Sequence, residues 1–240
     1  MNGMLAKTWI AVVLLLSHQN QEKKFDLSRH VWAKCKLGTY VSYELTETGN
    51  PGGELIQTIT VRLEKVETDG FILSESRKSK GGVSRKDLSV DFPSYAKDEE
   101  LSIDGKKVMC SAWQWETRSI DSVEKTTLWL DHEYRTQKIH WVRSQGTPDE
   151  LKRELLKTGK AQEFKIGAKT LLCTRMEGTF GTKADRLHVV EWWSDEVPGG
   201  IARGQLFSSK DQASSVSNLE AIETGMTALS DPVPFPVRKR

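Results

Sequence analysis

The residues that could carry catalysis are present but scattered. Five histidines occur, His18, His30, His132, His140 and His188, with three cysteines, Cys35, Cys110 and Cys173. No Cys-x-x-Cys pair offers the usual spacing of a zinc site. No His-Glu-x-x-His, Gly-x-Ser-x-Gly or Gly-x-x-x-x-Gly-Lys-Ser/Thr pattern occurs either. Zincin, nucleophile-elbow and phosphate-loop chemistry therefore find no support. The densest ligand-like triplet is Asp131-His132-Glu133. On a strand its acids point one way and its histidine the other, so the three cannot converge on one ion. In a turn they are a polar loop, and Ser194-Asp195-Glu196 stands 63 residues on at a matching place. Two of the 33 acids could face each other as a glycosidase pair, but the separation that decides such a mechanism is not written in a sequence. No catalytic residue, metal ligand or cofactor is assigned.

The aromatic residues are the stronger lead. Trp32, Trp113, Trp115, Trp129, Trp141, Trp192 and Trp193 all follow the apolar N-terminal stretch. On strands, Trp113 and Trp115 share a face, while Trp192 and Trp193 point to opposite faces. A curved sheet carrying them can line a groove for an apolar or sugar ligand. Trp113, Trp115, Trp129 and Trp192 are the candidate ligand-binding residues. The competing reading is core packing, since tryptophan is highly buried on average.

These residues belong to a unit written twice. Glu100, Ile103, Lys106, Cys110, Trp129 and Glu133 recur as Glu163, Ile166, Lys169, Cys173, Trp192 and Glu196, always at an offset of 63. Apolar character is kept as well, Leu101 with Phe164 and Val108 with Leu171. The repeat blocks are 100–143 and 163–206. Cys110 and Cys173 read as small buried apolar side chains. An odd count leaves at least one cysteine without an intrachain partner, and a bond between these two needs their strands side by side.

Along the chain, alternation marks strands at 39–46, 56–67, 71–75, 106–117, 123–130, 138–143, 169–179, 186–194 and 201–208. A further strand is read at 216–223. Asn50-Pro-Gly-Gly53, Asp69-Gly70, Asp104-Gly105 and Pro198-Gly-Gly200 are turn signals between them. Lys78–Gly82 reads as an exposed loop and 83–99 as irregular. Thr147-Pro-Asp-Glu150 carries helix-start chemistry, and Leu151, Leu155 and Leu156 give an apolar stripe. These predict one short helix over about 148–158. The fold class is mainly β, a curved antiparallel sheet or half-barrel built from two related halves with that one helix.

The N-terminus has one positive charge and then the apolar run 8–17. That run is about half the ~20 residues a spanning helix needs, and it suits a secretory signal peptide at 1–17. The mature chain is then exported, periplasmic or extracellular, with no integral membrane segment. A flexible lead-in covers 18–30, a single domain covers 31–223, and a Pro-rich tail covers 224–240. The net charge of +2 points to no nucleic-acid partner, and Arg238-Lys239-Arg240 reads as a solvated end.

The block Trp192-Trp-Ser-Asp-Glu-Val-Pro-Gly-Gly-Ile-Ala-Arg203 resembles a motif of uncharacterised exported bacterial β-rich proteins. In them a Trp-x-Ser-x-Glu-Val-Pro-Gly-Gly block follows a Gly-Lys-x-x-x-Cys strand. Residues 106–110 and 169–173 look like that strand, and 32–41 looks like the usual start. Such proteins are similar, more distantly, to lipoprotein-carrier half-barrels, where a curved sheet wraps an apolar cavity. The resemblance implies a cavity and carries over no catalytic residue. The leading expectation is a non-enzymatic exported protein that binds an apolar or lipid-like small molecule, or a protein partner, on a concave sheet face. The alternatives are a carbohydrate-active enzyme with Trp platforms and a carboxylate pair, and a structural module without a pocket.

Overall fold

Period-two alternation, not helical periodicity, governs nearly the whole chain. The computed structural model describes residues 23–27, 30, 32–48, 55–147, 149–208 and 211–226, without the side chains of 211–216 and 226. The signal peptide at 1–17, the turn at 50–53 and the tail beyond 226 lie outside the described residues. Fourteen strands follow one another. They are β1 Thr39–Glu47, β2 Leu55–Val66, β3 Gly70–Ser79, β4 Gly82–Asp91, β5 Ser94–Ile103, β6 Lys106–Arg118 and β7 Val123–Leu130. Then come β8 Thr136–Arg143, β9 Leu151–Lys157, β10 Gln162–Ile166, β11 Lys169–Gly181, β12 Arg186–Trp193, β13 Ile201–Ser208 and β14 Asp211–Met226. No α-helix occurs among the described residues, so none there is long and apolar enough to cross a membrane.

The curved antiparallel sheet closes on itself. With β5 and β10 set aside, the remaining twelve of the fourteen strands form a ring, because β4 pairs β6, β9 pairs β11 and β14 pairs β1. Closure leaves edges only at β5, at β10 and along Gly82–Leu88 of β4 among the described residues. β6 and β11 are each shared along their length. β5 takes Lys106–Gln114 of β6, and β4 takes only Thr117 and Arg118. β10 takes Lys169–Cys173 of β11, and β9 takes Met176–Gly181. At the last junction Gly178 faces Leu155, and a Cβ there would lie 1.8 Å from the Glu154 carbonyl oxygen, so only glycine fits.

The two blocks have matching geometry. β6 and β11 start and stop 63 residues apart, as do β7 and β12. Ser111 faces Leu130 as Thr174 faces Trp193. Trp129 Nε1 donates to Glu99 Oε2 at 3.0 Å, and Trp192 Nε1 donates to Gln162 Oε1 at 2.6 Å. The ladder slips at Trp129/Leu130 and again at Trp192/Trp193. Lys138 Nζ lies 4.9 Å from the Trp129 ring centroid and the Arg203 guanidinium 5.7 Å from that of Trp192. Cys110 and Cys173 are 1% and 0% exposed. β7, β8 and β9 stand between their strands in the ring, and neither forms a disulfide.

Two expectations are corrected. The helix over 148–158 is replaced by strand β9. Leu155 is fully buried while Leu156 is 37% exposed, which is alternation and not a stripe. Pairing with β8 on one side and β11 on the other satisfies this backbone, and that tertiary ladder outweighs local helix propensity. The helix-start residues instead build a turn, in which Thr147 Oγ1 donates to the Ser144 carbonyl and Glu150 Oε2 accepts the Gly146 N–H. The stretch 83–99 is not irregular but supplies β4 and most of β5. β4 has little apolar payload of its own. Its whole length is in register with β3, which makes it a strand.

Candidate functional site

The ring surrounds a partly open cavity of about 420 Å³. Its wall comes from residues that alternation turns inward, such as Val41 and Tyr43 on β1, Ile59 and Val61 on β2, and Leu128 and Leu130 on β7. The lining is mainly apolar, with hydroxyls from Thr117, Thr126 and Thr136. Its size and character are those of a small-molecule site.

The segment ahead of β1 covers part of this space. Phe25, His30 and Trp32 all line it. His30 stacks on Phe71 with centroids 4.9 Å apart and meets the Trp115 ring edge-on at 6.0 Å. Its Nδ1 accepts the Trp32 N–H at 3.3 Å. Burial, helped by the Lys34 charge, pushes the His30 imidazole down to about 4, so the ring is neutral near pH 7.

The charged groups on the inner wall are engaged. Glu124 lines the cavity, and accepts Trp141 Nε1 at 3.0 Å and Arg143 Nε at 2.9 Å. Glu191 is buried, and accepts Arg153 at 2.9 Å and Trp193 Nε1 at 2.8 Å. Tyr43 donates to the Pro198 carbonyl at 3.4 Å. Burial and the Glu191 charge push its phenol far up, so it stays protonated. Glu124, Glu191 and the lining Glu75 are each held by a guanidinium, Glu75 by Arg77 Nε at 2.7 Å, while Asp195 lies 3.9 Å from Lys34 Nζ; these pairs fix the wall.

The predicted site residues divide between two faces. Trp115 lines the cavity. Trp113 shares its face two residues away, with its ring against Phe25 at 5.0 Å and Tyr95 at 5.6 Å. Trp129 and Trp192 lie on the opposite face. Trp129 is buried with Leu101, Ile103, Cys110 and Ala112 of β5 and β6, and Trp192 lies against Phe164 of β10 at 5.3 Å. The structure therefore brings Trp113 and Trp115 together and places Trp129 and Trp192 elsewhere. Sequence reasoning missed Trp193, Trp32, Tyr43 and His30, all of which line the cavity. Trp193 had a readable signal, since it must face away from Trp192.

Asp131-His132-Glu133 forms a turn. The buried Asp131 carboxylate accepts the N–H groups of Glu133 and Arg135, Arg135 Nε and Gln137 Nε2. Burial alone would raise its pKa. The hydrogen bonds from Arg135 and Glu133 outweigh that and hold it below the ordinary carboxylate range. Glu196 N–H likewise meets Ser194 Oγ in the second block. Among the described residues no group of three or more His, Cys, Asp or Glu is placed to hold a metal ion.

No protein-family model matches the chain, and no curated protein matches it. Two solved structures are similar to it. One is a candidate exported protein of Bacteroides fragilis with a YmcC-like fold, at 10% identity and a TM-score of 0.40, covering 79% of this chain and 96% of that one. The other is a candidate lipoprotein of Parabacteroides distasonis, at 10% identity and a TM-score of 0.49, with the same coverage.

Proposed function

We propose that the protein is exported and holds an apolar or lipid-like ligand inside the strand ring without acting on it chemically. The observation that carries this reading is the cavity of about 420 Å³ walled mainly by apolar side chains from β1–β4, β6–β8 and β12–β14. A mainly apolar cavity favours an apolar occupant, because each apolar Å² removed from water stabilises by ~25 cal/mol. Trp115, with Trp113 beside it, is the ligand-contacting pair. Trp129 and Trp192 serve the same wall from its far face. The ion pairs of Glu124 with Arg143 and of Glu191 with Arg153 tie both carboxylates to the wall, which supports containment over carbohydrate hydrolysis, where two carboxylates must face the bound sugar. Export rests on the charged start and the apolar run at 8–17. The matched strand limits, register and tryptophan hydrogen bonds support reading 100–143 and 163–206 as two related halves.

The test is native mass spectrometry of the protein from its own compartment, before and after organic extraction, joined to titration of the extracted protein with dansyl-undecanoic acid. The expected result is a removable non-covalent mass of a few hundred daltons and saturable binding of the probe at one site. Absence of both a co-purified molecule and saturable binding counts against the proposal. The processed N-terminus comes from the same spectrum, and a mature chain that still begins at Met1 argues against cleavage at the predicted leader.

A further inference from the structure

The ring is not equally closed all the way round. Every neighbouring pair in it keeps at least six residues of each strand in register, with one exception. Between β4 and β6 only Ser89 with Arg118 and Val90 with Thr117 are matched. The cause is local. Above the seam β6 ends, and the chain reverses through Ser119–Ser122, where Ser119 N–H donates to the Ser122 carbonyl at 2.9 Å. Below it, Pro93 leads into β5, which takes over the edge of β6 from Gln114 downward. A proline has no N–H with which to extend a ladder. On β4, Gly82–Leu88 find their ladder partners on the β3 side alone among the described residues.

This short seam runs along the cavity. Leu88, Val90 and Pro93 line it from one side and Trp115 and Thr117 from the other. Outside, the seam is bridged by Arg118, which donates to Asp91 at 2.6 Å and to Glu116 at 2.7 Å. All three side chains are more than a third exposed, so water and salt weaken the bridge. Ile120 and Val123, 82% and 52% exposed, flank its upper end. A passage for an apolar molecule needs few backbone hydrogen bonds to break, apolar groups beside the gap, and a cavity behind it. The β4–β6 junction has all three, and no other junction of the ring combines them.

We infer that the ring opens between β4 and β6, and that this seam is the route by which an apolar ligand reaches and leaves the cavity. The inference rests on the ligand reading above, and the Arg118–Asp91 bridge acts as its latch. Ser89 and Arg118 are register partners, so their Cα atoms stand about 4.5–5.5 Å apart, which suits a disulfide.

The test is a reversible lock. Ser89→Cys/Arg118→Cys is made in a Cys35→Ser background and compared oxidised and reduced, beside a control lock Thr46→Cys/Ile56→Cys across the long β1–β2 ladder. Stopped-flow association of dansyl-undecanoic acid is the readout. The oxidised seam lock is expected to slow association at least ten-fold against its reduced form with little change in equilibrium affinity, while the control lock leaves the rate unchanged. Arg118→Ala needs no bond to form and is expected to speed association several-fold. Saturable binding at one rate in oxidised, reduced and Arg118→Ala proteins overturns the seam as a route and leaves the ligand reading standing. If none of these proteins nor the wild type binds the probe, the ligand reading fails and the seam with it.

Discussion

His30 shows what a single buried imidazole does to stability. Its ordinary pKa is ~6.5, and in the folded chain it is pushed down to about 4. Between those values the unfolded chain binds more protons than the folded one. Stability therefore rises with pH through this window, and is lost as pH falls from about 6.5 toward 4, by up to ~1.4 kcal/mol per pH unit. Replacing His30 by Phe removes the titration and keeps a ring against Phe71. The wild type is expected to lose urea resistance between pH 7.5 and pH 5 more steeply than His30→Phe. Parallel pH profiles would mean that the imidazole is not desolvated. Asp131 acts in the same sense, at lower pH. Hydrogen bonds hold its pKa low in spite of burial, so its stabilisation is present above about pH 4 and fades as pH falls through the folded value. Asp131→Ala leaves Gln137 Nε2 and two backbone N–H groups without their acceptor, at a cost of about 2–4 kcal/mol. Asp131→Ser copies Ser194 of the second block, keeps one acceptor, and is expected to fall between alanine and the wild type in chemical denaturation. A serine variant no better than alanine would show that the turn does not depend on that N–H contact.

Strand β9 is where the element scale separates local from tertiary forces. Thr147-Pro-Asp-Glu150 carries the chemistry of a helix start, and the same side chains serve a turn equally well. Nothing within 147–158 says that two ladders flank it. The test is a pair of truncations. In a strand Leu155 and Leu156 point to opposite faces, whereas a helical stripe holds both. Leu155→Ala is expected to cost about 2–5 kcal/mol, and Leu156→Ala under ~1 kcal/mol, by urea denaturation. Equal losses would restore the helix. The same contrast explains what was legible. Hairpins closed by Asp104-Gly105 and the Pro198–Gly200 turn were readable because positive φ leaves a mark in residue type, as at Gly105 and Gly200, whereas Gly70 is required by close approach, since a Cβ there would lie 2.2 Å from the Val90 carbonyl oxygen. β4 was not, since Ser84, Arg85, Lys86 and Asp87 carry no apolar alternation and depend on β3 for their conformation.

Closure belongs to the whole molecule, and no window of sequence contains it. The pairings β14–β1, β4–β6 and β9–β11 join strands that are not consecutive, and they decide which face of each strand becomes interior. That is why the tryptophans were countable but not assignable. Parity put Trp113 with Trp115 and Trp192 against Trp193, yet only the closed ring says that Trp115 and Trp193 face the cavity while Trp129 and Trp192 face β5 and β10. The ring also fixes how to test where a ligand lies. Thr126 lines the cavity from the middle of β7, so Thr126→Trp fills open volume without removing a hydrogen bond that the wall needs. Overpacking costs ~1–3 kcal/mol where no space exists, and the cavity supplies that space. Thr126→Trp is therefore expected to keep a thermal midpoint within a few degrees of the wild type and to lose dansyl-undecanoic acid binding, along with the concentration-dependent rise in midpoint that binding gives. Trp129→Phe is its counterpart on the other face. It gives up the hydrogen bond to Glu99, costs ~1 kcal/mol or somewhat more, and leaves probe affinity unchanged. The reverse pattern, with Trp129→Phe weakening the probe and Thr126→Trp leaving it intact, would move the ligand out of the ring and under β5.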